Sequence, residues 1–416
     1  LIGKTMERPA YTFRRGISIA WMSGTVDETS PEDSMTHNHI HIDPALPLVR
    51  QADKGHNRWH PDIAPAVRIA SGSSVEMETL DGLDGQIKSR TTAADLAGIE
   101  MGRVHPLTGP VHVDGAEPGD LLAVKIEQII PANRGFTMIM PGFGFLRDLF
   151  TTPFLVHWEM ADGFAVSGQL PGVRIPGAPF MGVMGVAPSH ELLQRIVARE
   201  ANLLARGGVV MPPDVAGAVP TAEPIASRAF RTIAPHETGG NFDIKSLTAG
   251  ATLYLPVQVP GALFSVGDAH FAQGDGESCG TAVETRATFV ARFDVLKGEA
   301  TRRRQRDPSY TLPGHAHHGA PGVHGAYGVT PSKGYYATTG MSLRSDGRAE
   351  SEDITLAARN ALINMIDYIA DAYSFTREQA YCLASVAVDL RISQVVDVPN
   401  MTVSAVLPLD IFERQT

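Results

Sequence analysis

Five polar side chains, Asp268, His270, Gln273, Asp275 and Glu277, crowd into the eleven residues from Gly267 to Glu277, with Gly274 and Gly276 among them. An imidazole beside carboxylates can hold a divalent ion or move a proton. Asp268 and His270 are one residue apart and can reach one ion from a turn. The glycines allow close backbone approach or positive φ. A polar turn punctuated by Asp-Gly steps accounts for the same pattern, and the spacing matches no standard metal motif.

Apolar chain enters this stretch from both sides. Leu253-Tyr-Leu-Pro-Val-Gln-Val-Pro-Gly-Ala-Leu-Phe-Ser-Val266 precedes it and Ala287-Thr-Phe-Val-Ala-Arg-Phe-Asp-Val295 follows. Both are rich in β-branched and aromatic residues, as buried strands are. The expected placement of the polar stretch is therefore the rim of a sheet.

The run Gly267-Asp-Ala-His-Phe-Ala-Gln-Gly-Asp-Gly-Glu277, continued by Cys279-Gly-Thr-Ala-Val-Glu284, resembles the signature of the acetamidase/formamidase family. His236-Glu-Thr-Gly-Gly-Asn-Phe-Asp-Ile-Lys245 is similar to a second signature, and Val104-His-Pro-Leu-Thr-Gly-Pro110 to a third. The order and separation agree, and the similarity runs from about Gly55 to the C-terminus. The resemblance implies hydrolysis of a short aliphatic amide, formamide or acetamide, to a carboxylate and ammonia at a divalent metal, with zinc expected and calcium the alternative.

On that reading Asp268, His270 and Asp243 hold the ion, Glu277 is the general base, and Lys245 or Asn241 steadies the oxyanion. The expected substrate-binding residues are Trp59, His105, Gln273 and Phe145, with Asp81 and Gln86 behind them. Phe143 and Trp158 are further candidates for walling an apolar slot. Two other readings stay open. Cys279 with Glu277 and Lys245 has the residue types of a thiol amidase, and a non-catalytic protein that binds amides or urea needs the same pocket.

Composition bounds the alternatives. The chain has 416 residues, 43% of them hydrophobic, enough for two or three domains. Its 41 glycines and 29 prolines favour short strands and turns over long helices. A net charge of −10 argues against a nucleic-acid partner, and no apolar run is long enough for a membrane span. Cys279 and Cys382 lie far apart and read as free thiols. The expected location is the cytoplasm, or the periplasm if a leader has been removed. The expected assembly is a homo-oligomer, a dimer or larger.

The fold class these patterns imply is α+β and β-rich: packed sheets with a few flanking helices. Residues 1–36 read as an arm, 37–188 as a β-rich domain with pocket loops, and 189–416 as an α+β domain carrying the central motif. Val67 and Ile69, Val75 and Met77, and Leu122, Val124 and Ile126 alternate as half-buried strands do. The Gly-, Pro- and Phe-rich stretch 131–188 reads as loops over the site. Ser189 caps a helix, Glu352 and Asp353 open another, and Thr376-Arg-Glu-Gln379 is a capping box. Asn241, Asp243 and Lys245 alternate as if along one strand. Two histidine groups, His37, His39 and His41 and then His315, His317, His318 and His324, could hold a transition metal, but solvated surface is the default reading for both.

Overall fold

The computed structural model describes residues 38–313 and 332–413. The arm at 1–36, His37 and the histidine loop 315–324 lie outside the described residues.

Two sheets form the bulk of the fold. A six-stranded sheet runs Asn38–Ile40, Ser73–Glu78, Ala287–Leu296, Leu121–Pro131, Thr252–Pro256 and Ser309–Thr311, antiparallel except for its first pair. Alternation builds it: in Leu121–Pro131, Leu122, Val124 and Ile126 are fully buried while Lys125 and Glu127 are exposed. The inward residues meet the second sheet, so that Met77, Val124 and Phe289 share one core with Val111, Met184 and Val266. Such face-to-face burial contributes about 1.5–3 kcal/mol for each large apolar side chain.

The second sheet has eleven strands. Phe264–His270 sits in its middle, hydrogen-bonded to Phe180–Val186, Glu284–Thr285 and Leu107–Val113. The single apolar run Leu253–Val266 is thus two strands in two sheets. Thr252–Pro256 belongs to the smaller sheet, and Ala262 and Leu263, at φ 59° and 58°, turn the chain into the larger. The central motif consequently begins inside a strand. Asp268 and His270 are buried in its last turn of pleat, where the sequence pointed to a rim.

Residues 131–188 are also mostly strand: Arg134–Ile139, Phe154–Ala161, Phe164–Val166, Arg174–Pro176 and Phe180–Val186. Gly135 and Gly185 within them mark close backbone approaches, which composition alone does not separate from loops. Because Phe180–Val186 pairs with Phe264–His270, the larger sheet runs across the boundary drawn at 188/189.

A third layer closes the C-terminal part. Helices Ile354–Tyr373 and Arg377–Ala387 pack on the sheet Tyr335–Met341, Thr402–Pro408 and Asp389–Gln394. Asp353 accepts from Leu356 N, and Thr376 and Gln379 form the reciprocal capping box the sequence announced. Ser189 likewise caps His190–Ala205, whose Leu192, Leu193 and Ile196 are buried. Distance in sequence misleads about the cysteines: Cys279 and Cys382 are neighbours in this core, both free. Among the described residues no helix is long and apolar enough to cross a membrane.

Candidate active site

His270 is fully buried on the central strand and its two ring nitrogens have different surroundings. Gln273 fixes one of them. Its Nε2 donates to the Asp243 carbonyl at 2.9 Å, so its Oε1, 2.9 Å from His270 Nδ1, must accept the Nδ1 proton. The other nitrogen, Nε2, then faces Glu284 Oε1 at 3.3 Å, Asp268 Oδ2 at 3.5 Å and Glu277 Oε1 at 3.8 Å, with no hydrogen-bond partner. A bare lone pair aimed at three carboxylates is repulsive. The arrangement calls for positive charge at that point, either a proton or a cation.

Local structure brings the carboxylates in. Asp268 and His270 are two apart on the strand and share a face. Glu284 is registered opposite His270 on the neighbouring strand. Asp243 follows the short strand Gly239–Asn241, where the φ of 50° at Asp243 and the hydrogen bonds from Phe242 N and Asp243 N to Gly182 O bend the chain inward. Gly182 must lack a side chain: a Cβ there would lie 2.6 Å from Asp243 Oδ1 and 2.7 Å from Asp268 Oδ2. Gly82 does the same on the far side, at 2.2 Å from Asp268 Oδ1. The Phe180 ring meets His270 edge-on at 5.0 Å and closes the remaining side.

The electrostatics follow from crowding charge where water is scarce. Burial opposes a charged imidazolium, but Glu284 and Asp268 prevail and hold His270 well above its ordinary range. Burial pushes Asp243 up to about 7, with Asp268 and Glu284 adding to the push and His270 opposing it. Burial and then the neighbouring Asp243 hold Glu277 well above a usual carboxylic acid. Burial raises Glu284 too, against the pull of His270. Asp268 stays low despite burial because His105 and His270 stabilise its charge.

Four acidic side chains converge on one imidazole, and burial opposes ionising all of them at once. The donors group as Asp243, Asp268 and His270 and as His270, Glu277 and Glu284. Asp243 Oδ1 and Glu284 Oε2 are, like His270 Nε2, buried without partners. Unpaired acceptors converging on one point fit a divalent cation.

Beside this cluster is a cavity of about 80 Å³. Its walls include Leu83, Met138, Met140, Phe143 and Ile233, and its polar side is His105, Asn241, Asp268, Glu277 and Glu284. His105 Nε2 lies 3.9 Å from Asp268 Oδ2, and its backbone N–H is held by Thr232 Oγ1 at 2.6 Å. Asn241 Nδ2 donates to the Ile233 carbonyl at 3.1 Å, which leaves its buried Oδ1 without a partner. Asn241 therefore offers the cavity an acceptor, where the sequence suggested an oxyanion donor.

Several expected residues lie elsewhere. Lys245 does not continue a strand from Asn241, because the chain turns at Asp243; its ammonium is paired with Asp389 and lies 3.6 Å from Asp275. Phe145 packs in the C-terminal core with Arg359 over its ring, and Phe143 takes the cavity wall instead. Trp59 is buried with Leu107, Val183 and Leu192. Trp158 is core, its indole N–H on Thr137 Oγ1. Asp81 and Gln86 brace the turn that presents Gly82 and Leu83. Gln273 holds His270 and does not line the cavity.

The Cys279 thiol points away from the cavity, 3.4 Å from the Met138 carbonyl and 1% exposed. That geometry counts against it as the nucleophile. Glu284 was the omission from the sequence reading, and its signal was a lone carboxylate closing the apolar run Ala282-Val283, expensive to bury without a task.

The chain matches the acetamidase/formamidase family over residues 41–414. It is 34% identical to an acetamidase of Mycolicibacterium smegmatis, covering 82% of this chain and 87% of that one. It is 32% identical to a formamidase of Methylophilus methylotrophus, covering 86% and 89%. Among solved structures, a gamma lactamase from Delftia acidovorans superposes with a TM-score of 0.83 at 32% identity, over 91% of this chain and 94% of that one.

Proposed function

This chain belongs to the acetamidase/formamidase family, and on that premise we propose that it hydrolyses a short aliphatic amide to the carboxylate and ammonia with Glu277 as general base. One observation carries the reading: Glu277 and the carboxylates around His270 Nε2 border a small cavity with one apolar wall.

Amides resist attack because the nitrogen lone pair stabilises the carbonyl, so a catalyst must polarise oxygen, activate water and protonate the leaving nitrogen. His270, Asp268, Asp243 and Glu284 would hold a divalent ion, which when bound supplies Lewis-acid polarisation and acidifies water. Glu277 takes the proton of the attacking water and delivers it to nitrogen. Its position supports this, since Glu277 borders the cavity with Oε1 3.8 Å from His270 Nε2, within reach of a water held there. The unpartnered Oδ1 of Asn241 accepts an N–H of the substrate amide. The apolar wall of Met138, Met140 and Phe143 excludes bulk water and takes the acyl side. Lys245, paired with Asp389, braces the segment that carries Asp243.

Ammonia release from formamide, acetamide and propionamide tests the proposal, with a γ-lactam in the same panel because of the Delftia relative. Glu277→Gln should lower kcat by about 10²–10⁴-fold while metal content stays at the wild-type level. Undiminished turnover in that variant would remove Glu277 from its role, and ring opening without ammonia release would move the substrate class to cyclic amides.

A further inference from the structure

A second group of metal-ligating side chains lies in the other sheet. The strand Asn38–Ile40 is the edge of the six-stranded sheet, parallel to Ser73–Glu78, with His39 opposite Glu76. Residues two apart on a strand share a face, so His39 and His41 stand beside Glu76 and Glu78. His39 Nε2 is 3.6 Å from Glu76 Oε1 and 3.8 Å from Glu78 Oε1, and His41 Nδ1 is 2.6 Å from Glu78 Oε2. The two imidazole rings are 5.9 Å apart. The side chains of His39, His41 and Glu78 bring their donor atoms within 4.8 Å of one another.

We propose that His39, His41 and Glu78, with a water as fourth ligand, form a zinc site that fastens the edge strand to its neighbour. Ligand atoms of one tetrahedral zinc, bound at 2.0–2.2 Å, lie about 3.3–3.6 Å apart. The separation from His39 to Glu78 is close to that before any adjustment. His41, whose side chain is 62% exposed, exchanges its 2.6 Å contact with Glu78 Oε2 for the metal. Two neutral imidazoles and the Glu78 carboxylate hold the ion, and the Glu76 carboxylate, 3.6 Å from His39, offsets its remaining charge. Imidazoles select a transition ion over calcium or magnesium.

The strand has reason to need the tie. It is three residues long and sits at an edge, so few backbone hydrogen bonds hold it. An ion that binds only the folded pair stabilises it by mass action.

Equilibrium dialysis against zinc chloride followed by metal analysis tests the proposal on the whole chain. The wild type should retain one zinc per chain more than the His39→Ala/His41→Ala variant, and both should hydrolyse amide at the same rate. Added zinc should raise the thermal midpoint of the wild type more than that of the variant. If alanine loosens the strand, His39→Gln/His41→Gln keeps the side chains polar and of similar length, and it should lose the same equivalent. Equal stoichiometry in wild type and both variants overturns the site. So does zinc that washes out of the wild type on simple buffer exchange, which marks surface histidines without a site.

Discussion

Glu284 Oε1 lies 3.3 Å from His270 Nε2 without forming a hydrogen bond, although the two residues face each other across adjacent strands and both are buried. The pair is spaced as two ligands of one ion are spaced, about 3.3 Å for bonds near 2.0 Å. Gln273 enforces this by occupying the other nitrogen of the ring.

Convergence of these donors depends on Gly182. A Cβ at that position would meet Asp243 Oδ1, Asp268 Oδ2 and His270 Cε1 at 2.6–3.0 Å. Gly182→Ala should therefore lower kcat/KM by about 10²-fold or more through misplaced ligands, with the far-UV circular dichroism spectrum unchanged. A variant with wild-type kinetics would show that the cluster tolerates splaying and is not a shared ligand site.

Removal of metal and blockage of thiol separate the two nucleophile readings. Dialysis against a strong chelator should abolish ammonia release, and zinc should restore it. Cys279→Ser should keep kcat within about threefold of wild type, since the sulfur lies against the Met138 carbonyl outside the cavity. Activity that survives chelation but not the serine substitution would return the reaction to the thiol.

His56 makes stability depend on pH. It is buried with Nε2 2.7 Å from Ser265 Oγ, and burial pushes it down to about 4. Its folded value lies below its unfolded value near 6.5, so between those limits the unfolded chain binds the extra proton. The neutral-histidine contribution is present above about pH 6.5 and is lost as pH falls to about 4, on the order of 3 kcal/mol in all. Denaturant midpoints measured from pH 7 to 4 should fall more steeply for wild type than for His56→Gln. Parallel curves would mean that His56 is protonated in the fold.

Much of this protein is legible in its sequence wherever the physics is local. Ser189, Asp353 and Thr376 start helices because each caps the backbone within its own first turn. Val75, Met77, Val124 and Ile126 are inward because side chains alternate along any strand. Asp268, His270 and Glu277 stand close in the chain, so their shared chemistry can be read without a fold.

Other elements depended on partners far along the chain. The break in Leu253–Val266 is invisible to periodicity, because both halves are apolar and only the choice of sheet distinguishes them. Asn241, Asp243 and Lys245 alternate in sequence, but the hydrogen bonds to Gly182 O turn the chain at Asp243 and leave Lys245 with Asp389.

The sequence by itself determined the residue types of a hydrolytic site, the helix starts and the strand faces, since each follows from neighbours a few positions apart. Tertiary structure alone decided that Glu284 joins His270 and that Cys279 turns into the core. It also put Phe143 in the cavity wall in place of Phe145. These outcomes depend on strand register and on backbone approach at Gly82 and Gly182, which arise only when segments far apart in the chain are packed against one another.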